Sequence, residues 1–296
     1  MIKDLYKNRS YTGCVRTAFI YLCDNFTLIV KKCWVWIAAC SLIAGLTAYA
    51  WATMICSGNE FSTAPLLIAA CIGAAALFVA SAALTAQMTG ILSGRGFKSC
   101  LFRVLKTNAL TWLTTAIAII ITAIASSFTA WMLMNKDMDI TSCALGMALT
   151  ATVLSMLFAA LHVPLIYSCG KYVLEEDTKF VETMGKGYAR GLRYFGQLFA
   201  MSFVIGLINI VEALFMGMPL LILSLTGFMD YNGRMIGDES GLPVGWPLQA
   251  LLAATITGVL LSFMYIWTVL CNCYAYGHIE HDLCNKRKMQ EANKEL

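Results

Sequence analysis

Six apolar stretches of more than 20 residues each constrain this chain more than any other feature of its sequence. A helix rises 1.5 Å per residue and the hydrocarbon core of a bilayer is about 30 Å thick, so about 20 apolar residues can cross it. Lipid offers the backbone no hydrogen-bond partners, and runs of this length satisfy their own amides only as helices. We predict six transmembrane helices, at 33–56, 64–88, 109–134, 142–167, 198–225 and 248–274.

The composition excludes the other fold classes. Hydrophobic residues make up 59% of the chain and charged residues 13%, whereas a soluble domain carries about 25% charged residues. The strands of an outer-membrane barrel would alternate between polar and apolar residues, and these runs do not. We therefore expect an all-α polytopic membrane protein, with a single integral membrane domain over residues 1–296 that ends in a short cytoplasmic tail, 275–296.

The Lys and Arg residues predict the orientation of the chain, because positive side chains near span ends are retained in the cytoplasm. Of the 21 Lys and Arg residues, all but Lys136 and Arg234 lie before the first span, in the second or fourth loop, or after the sixth span. We expect a multi-pass protein of the cytoplasmic (inner) membrane with both termini in the cytoplasm. The basic segments are expected to bind anionic lipid headgroups.

Three cytoplasmic segments have an amphipathic pattern, and each precedes an outward-going span. Helical spacing places apolar side chains on one face of 11–30, of a shorter segment from Phe97 to Lys106, and of 179–195. Each segment is predicted to be an interfacial elbow helix on the inner leaflet. Their starts, near Tyr11, Phe97 and Thr178, are 86 and 81 residues apart, which suggests three parallel units of elbow plus transmembrane hairpin. The alternative is that six-span proteins acquire such segments by default, since the units share few residues.

The opening of the chain carries a family resemblance. It begins with MIKDLYKNRS, followed by CVR at residues 14–16. This opening resembles that of uncharacterised bacterial six-span inner-membrane proteins with an elbow helix, some of which carry a β-carotene monooxygenase label. The resemblance implies the six-span fold and no established activity. A non-haem iron oxygenase needs several His or carboxylate ligands, and His162, His278 and His281 have no second in-membrane carboxylate to complete a set, so we reject that activity.

Glu212 is the one formally charged residue that we place inside a span, three residues after Asn209 on the same helical face. A carboxylate at this depth costs about 3 kcal/mol on insertion scales, so it should face the bundle or be protonated. It is either the coupling site of a proton or cation transporter, or a structural carboxyl hydrogen-bonded to Asn209 or to another helix. The structural interpretation is favoured, because ion-coupled transporters present several convergent polar groups. Gln87, at a different depth, is a candidate partner.

Two further groups of polar residues have ordinary explanations. His278 and His281, with Cys284 three residues further on, lie on a helix that continues from the sixth span. A structural zinc site takes four ligands and a catalytic site three, so we expect a polar exit from the membrane, with no metal and no cofactor. The third span is rich in hydroxyl groups, which are predicted to form interhelical hydrogen bonds; they belong to Thr111, Thr114, Thr115, Thr122, Ser126, Ser127 and Thr129.

The sequence contains no G-x-S-x-G, Walker or H-E-x-x-H motif, so we do not expect an enzyme. An intramembrane enzyme would rest on the His278 and His281 pair alone. The leading interpretation is a non-enzymatic inner-membrane protein with a structural or accessory role, whose basic elbows contact lipid or a membrane or cytoplasmic partner. A homo-oligomer is a candidate state, and no nucleic acid is expected. The alternative is a small-solute or ion transporter built around Glu212.

Overall fold

The computed structural model describes residues 5–56, 63–136, 138–237 and 241–293, and all regular structure within those ranges is α-helical. Six of the helices in these ranges are long and apolar enough to cross a membrane. Each predicted span lies within one of these six helices, which confirms an all-α polytopic membrane protein. The helices are α1 (Tyr11–Asp24), α2 (Phe26–Cys56), α3 (Thr63–Ser93), α4 (Phe97–Met134), α5 (Ile140–Leu174), α6 (Phe180–Arg193), α7 (Phe195–Met235) and α8 (Trp246–Ala292), the spanning ones being α2, α3, α4, α5, α7 and α8.

Several helices extend well beyond the predicted spans. The largest extension is in α8, whose 47 residues would reach about 70 Å, more than twice the thickness of the hydrocarbon core. The segment predicted as a tail continues α8 as far as Ala292, and its first five residues, 275–279, are buried. Helical hydrogen bonds do not require apolar side chains, so hydropathy shows where a helix can cross lipid rather than where it ends.

The long helix α8 lies at the centre of the bundle. It packs along α2 and also contacts α1, α3, α5 and α7. Small residues allow the approach to α2, since a Cβ atom added to Gly258 would lie 2.9 Å from the Cα of Ser41. The N-terminal segment packs against the far end of α8, where the carbonyl of Leu5 lies directly against Gly277. The N-terminal segment and the later part of α8 therefore meet at one end of the bundle, which we call the basic end because most of the Lys and Arg residues lie there.

Two of the three predicted elbows are separate helices, and the second is not. The first and third segments contain α1 and α6, whereas α4 runs from Phe97 to Met134 without a break. The apolar face that predicted an elbow at Phe97 packs against protein instead of lipid. Val104 is fully buried, and Phe97 and Leu101 pack in a cluster with Tyr172 and Val173 of α5. With its apolar face covered in this way, the segment continues into the span.

The short helix α6 folds back along the end of α5. A Cβ atom on Gly187 would lie 2.9 Å from Oγ of Ser168, and one on Gly191 would lie 2.5 Å from the carbonyl oxygen of Pro164. Later residues of α6 meet earlier residues of α5, so the two helices run antiparallel. Because neither glycine carries a side chain, the two backbones can lie against each other.

The outer parts of α4 and α5 form a hairpin at the edge of the bundle. Few residues of their apolar stretches are buried, and large side chains such as Ile119, Ile124 and Met156 face outward. Beyond Ser126 the two helices are held together by a 3.2 Å hydrogen bond between the hydroxyls of Thr129 and Thr150. An apolar outer surface of this kind suits contact with lipid.

Candidate functional site

A cavity of about 480 Å³, which we call the main cavity, lies between α3, α4, α5, α7 and α8 in the half of the bundle nearer the basic end. Its volume falls within the range of about 300–1,000 Å³ that small-molecule sites occupy. None of the described residues that line it is Asp, Glu, Lys or Arg. Ten of them carry hydroxyl, amide or imidazole groups, namely Thr85, Thr89, Thr107, Asn108, Thr111, His162, Ser202, Tyr265, Thr268 and Asn272.

Most hydroxyl groups of this wall already have a partner, either in their own helix or across helices, as in the 2.7 Å hydrogen bond between Thr85 and Tyr265. Thr89 donates to the carbonyl of Thr85 at 2.9 Å, and Thr107 donates to that of Val104 at 2.9 Å. A hydroxyl that donates to the backbone still has acceptor capacity for another molecule. Ser202 Oγ is different, since it is buried and has no hydrogen-bond partner in the part of the chain that the structure describes. The wall therefore offers several acceptor oxygens to a bound molecule.

A second cavity, which we call the side groove, lies between α4 and α5 and has a volume of about 540 Å³. The described residues that line it all belong to these two helices, and its polar groups include Thr115, Thr122, Ser126 and Ser155. Because α4 and α5 form the edge of the bundle, the groove faces outward. The residues described in both walls are Ala159 and His162.

His162 is held by hydrogen bonds at both ring nitrogens. Its Nδ1 lies 2.8 Å from the carbonyl oxygen of Phe158, and its Nε2 lies 2.9 Å from Oγ1 of Thr114 on α4. A carbonyl oxygen can only accept, so Nδ1 carries a hydrogen and Nε2 is the nitrogen that can take a second proton. The sequence analysis names His162 only as a candidate metal ligand. Its position between the two cavities depends on the packing of α4 against α5, which no local pattern in the sequence indicates.

Asn209, Glu212 and Gln87 do not form one polar site. Asn209 Nδ2 donates to Oγ1 of Thr268 at 3.1 Å, which places Asn209 behind the wall of the main cavity. Glu212 Oε2 is buried without a hydrogen-bond partner among the described residues, and Glu212 is not among the residues that line either cavity. Gln87 lies on α3, which packs against α2, α4, α5 and α8 rather than against α7.

The candidate metal ligands at the end of α8 have separate surroundings. His278 Nδ1 accepts a 2.9 Å hydrogen bond from the backbone N–H of Arg9, and burial lowers the pKa of this imidazole. His281 Nδ1 lies 3.3 Å from Nδ2 of Asn285, and Cys284 is exposed. Within the described ranges no three His, Cys, Asp or Glu residues group in a way that could hold a metal ion. His278 instead anchors the N-terminal segment to α8.

A cluster of ionised groups lies beside the main cavity at the basic end. Lys171 Nζ is 2.9 Å from Oε1 of Glu280 and 3.1 Å from Oε2 of Glu175, and Tyr167 donates to Oε1 of Glu280 at 2.5 Å. Burial alone would raise the pKa of Glu280, but the hydrogen bonds from Tyr167 and Lys171 outweigh it and hold the pKa below its usual value. The guanidinium of Arg190 on α6 adds a second positive charge near Glu280 and Glu175, and the cluster joins α5 to α8.

Arg95 and Arg103 bind the exposed carbonyls at the end of α5. Arg95 donates to the carbonyl of Leu174 at 2.7 Å, and Arg103 donates to those of Tyr172 and Glu175 at 2.6 Å each. The last carbonyls of a helix have no partner within it, and cationic side chains suit the negative end of the helix dipole. The count of basic residues predicts that these arginines bind anionic lipid headgroups. Such a count does not show that the end of another helix lies beside them.

No family model, curated protein or solved structure matches the chain. The resemblance of its opening to bacterial six-span proteins therefore stays a prediction, and the geometry of the cavities is the basis for inferring a function.

Proposed function

We propose that this protein is a non-enzymatic carrier or transporter that binds a small uncharged molecule in the main cavity. The observation that carries the proposal is a wall with ten polar side chains and, among the residues described there, no charged one. A charged ligand would lose its hydration without gaining a counter-charge, which is costly in an apolar setting. An uncharged molecule with hydroxyl, ether or carbonyl groups would instead exchange hydrogen bonds with water for hydrogen bonds with the wall.

The side groove supports exchange of this molecule with the membrane. It lies on the outward face of the α4 and α5 hairpin and shares Ala159 and His162 with the main cavity. Uncharged amphiphilic molecules partition into bilayers, so a lateral opening would suit them. Glu212 has no part in this proposal, because it is not among the residues that line either cavity.

A structural or accessory role is the second candidate, and exposed groups at the basic end favour it. The side chains of Lys186 and Lys286 are 73% and 61% exposed, and α1 presents Phe19 and Ile20 at its surface. These two lysines are paired with Glu182 and Asp282. An end of the molecule that combines exposed cations with exposed apolar side chains suits an anionic membrane surface, where a Lys or Arg gains about 1 kcal/mol. The proposed orientation places this end on the cytoplasmic leaflet of the inner membrane.

Reagent access to Cys169, in the wall of the main cavity, tests the proposal. The purified protein in lipid nanodiscs is treated with neutral methyl methanethiosulfonate or with a cationic trimethylammonium methanethiosulfonate, and labelled peptides are quantified by mass spectrometry. Rates are divided by those at Cys284, which is exposed. The neutral reagent is expected to label Cys169 at least about tenfold faster than the cationic one, a preference of about 1.4 kcal/mol.

Two variants control this experiment. Ala159→Phe fills the wall common to both cavities and is expected to slow neutral labelling of Cys169 without affecting Cys284. Leu157→Phe, at an exposed position of the same helix, should change neither rate. If neither reagent reaches Cys169, the cavity is closed to solutes and the accessory role is favoured. Equal labelling by both reagents would show that the cavity does not select uncharged molecules, and the proposal would be wrong.

A further inference from the structure

The main cavity has two chemically different sides. Helix α5 supplies nine of the described residues that line the cavity, and His162 alone among these nine carries a hydroxyl, amide or imidazole group. Both ring nitrogens of His162 are already hydrogen-bonded, to the carbonyl of Phe158 and to the hydroxyl of Thr114. The α5 side therefore presents an apolar surface to a bound molecule.

The polar side chains of the cavity lie on the other helices. Nine of the eleven described lining residues on α3, α4, α7 and α8 carry hydroxyl or amide groups. A 2.7 Å hydrogen bond between the hydroxyls of Thr85 on α3 and Tyr265 on α8 joins two of these helices. Polar groups recur along each lined stretch, from Thr107 to Thr111 on α4 and from Tyr265 to Asn272 on α8. The side formed by α3, α4 and α8 is therefore polar over its length.

The polar and apolar sides of the main cavity run alongside each other rather than end to end. Thr114 of α4 contacts His162 of α5, and Gly170 of α5 lies directly against Tyr276 of α8. These contacts place the lined stretch of α5, residues 159–174, beside the lined stretches of α4 and α8. A cavity of this kind matches a molecule that is polar along one edge and apolar along the other. It does not match a molecule with a single polar head and a hydrocarbon tail.

Two polar groups on α8 have hydrogen-bonding capacity left for such a molecule. Thr268 Oγ1 accepts a 3.1 Å hydrogen bond from Asn209, and no described residue accepts the hydrogen of the Thr268 hydroxyl. The amide of Asn272 also lines the cavity and has no hydrogen-bond partner within the described ranges. An amide can donate two hydrogen bonds and accept others. The two residues are four positions apart on one face of α8, about 6 Å along the helix.

We propose, building on the proposed function, that the main cavity binds an uncharged facial amphiphile, a molecule with two or more hydroxyl or amide groups along one edge of an apolar skeleton. Its polar edge bonds to Thr268 and Asn272, and its apolar face lies against Val163, Ile166 and Val173 of α5. A single-headed amphiphile binds less well, because its tail covers polar groups of the wall without replacing their hydrogen bonds to water. The spacing of the polar groups on the ligand therefore determines selectivity, in addition to the lack of charge.

Two isomeric hexanediols test this proposal with the wild-type protein in lipid nanodiscs. The spaced diol has its hydroxyls on the second and fifth carbons, whereas the terminal diol has them on the first and second carbons, which makes a single polar head. Each diol is titrated against the labelling of Cys169 by neutral methyl methanethiosulfonate, with rates divided by those at Cys284, which is exposed. The spaced diol is expected to halve the labelling rate at a concentration about fivefold lower than the terminal diol, the effect of one additional hydrogen bond.

A variant of Asn272 tests the polar edge directly. Asn272→Leu removes the amide and leaves a side chain of similar size. It should raise the concentration of the spaced diol that halves the labelling rate by about fivefold and bring the two isomers close together. Asn285→Leu makes the same change on the same helix, at a position that is not among the residues lining either cavity. This control should leave both concentrations unchanged.

The comparison of isomers needs no variant, so it decides the proposal even if Asn272→Leu does not fold. Equal protection of Cys169 by the two diols, stronger protection by the terminal diol, or protection by neither would overturn the inference. The wild-type preference in a folded Asn272→Leu protein would also overturn it. Each of these results requires that the neutral reagent labels Cys169, so each defeats the inference alone. If Cys169 is closed to both methanethiosulfonate reagents, the proposed function is wrong and the inference fails with it.

Discussion

At the scale of single residues, the hydrogen bonds of each polar group within the bundle depend on which residue lies nearest to it. Of the hydroxyls predicted to join helices, Thr114 and Thr129 do so, whereas Thr111 and Ser126 bond to their own backbone. Sequence identifies a hydroxyl on a helix but not the residue opposite it. Glu212 shows the same limit, because the partner proposed for it, Asn209, is hydrogen-bonded to Thr268.

Replacing Glu212 should therefore be tolerated, while replacing Asn209 should not. Glu212→Leu removes a buried carboxyl oxygen that has no partner in the described structure, and we expect the melting temperature of the detergent-solubilised protein to stay equal or rise. Asn209→Leu removes the bond to Thr268 and should cost about 1 kcal/mol. Thermal unfolding followed by intrinsic fluorescence measures both. A large drop in the melting temperature of Glu212→Leu alone would show that Glu212 has an important partner.

Acid should destabilise the protein through Glu280, which lies beyond the apolar stretch of α8. Its pKa is lowered in the folded state by Tyr167 and Lys171, so the ionised group contributes stability that is present above its unfolded pKa and is lost as pH falls through the folded pKa. Glu280→Gln should melt lower at neutral pH and lose less stability on acidification. Glu182→Gln, in an exposed pair with Lys186, is the control. Parallel wild-type and Glu280→Gln curves against pH would contradict this.

At the scale of whole elements, apolar length predicted the six spanning helices, and their surroundings determined the rest. The stretch from Leu248 to Tyr274 is long enough to cross lipid, but α8 continues to Ala292. Residues 275–279 of this extension are buried, and Glu280 bonds to Tyr167 and Lys171 of α5. The main cavity was not predicted because it depends on which helices are neighbours. Thr107 and Thr268 face the same space although they lie far apart in the chain, and no local pattern records that proximity.

The docking of α6 on α5 can be tested with two glycines of one helix. Gly191→Val would force a side chain against the Pro164 backbone, whereas a Cβ atom on Gly185 would meet nothing within 4 Å. Overpacking of this kind costs about 1–3 kcal/mol, so Gly191→Val should unfold at a clearly lower temperature. Gly185→Val should cost far less, because its side chain meets open space. The change in helix propensity is the same in both variants, so the difference between them reports the packing. Equal melting temperatures would mean that α6 does not pack closely on α5.

At the scale of the whole molecule, the basic end combines the chain ends, the ion cluster and the nearby main cavity. Arg9 and His278 meet there, so the N-terminal segment and the end of α8 must lie on the same side of a membrane. The distribution of Lys and Arg predicts that this side is the cytoplasm. The structure establishes that the N-terminal segment lies against the later part of α8, while the identity of the compartment stays a prediction.

Reporter fusions can determine the compartment. Asn135 and Asn232, at the opposite end of the bundle, are predicted to be periplasmic, so a phosphatase fused there should be active. The position after residue 296 is predicted to be cytoplasmic, so a fluorescent protein fused there should fluoresce. Asn59, predicted to be periplasmic, lies outside the described residues and provides a third position. Paired phosphatase and fluorescent-protein reporters at each site give the measurement. A reversed pattern would refute the orientation, and a mixed one would refute the arrangement of six spans.

The contact between the first residues of the chain and its last helix has a consequence for biogenesis. Leu5 and Arg9 leave the ribosome long before Gly277 and His278 exist, and the bond between Arg9 and His278 joins positions 269 residues apart. Contacts with such separation form late in folding, since the intervening chain must first be ordered. In an unfinished chain, the N-terminal segment therefore exists before the part of α8 that it contacts. Docking of that segment requires that the chain has been made and folded at least as far as His278.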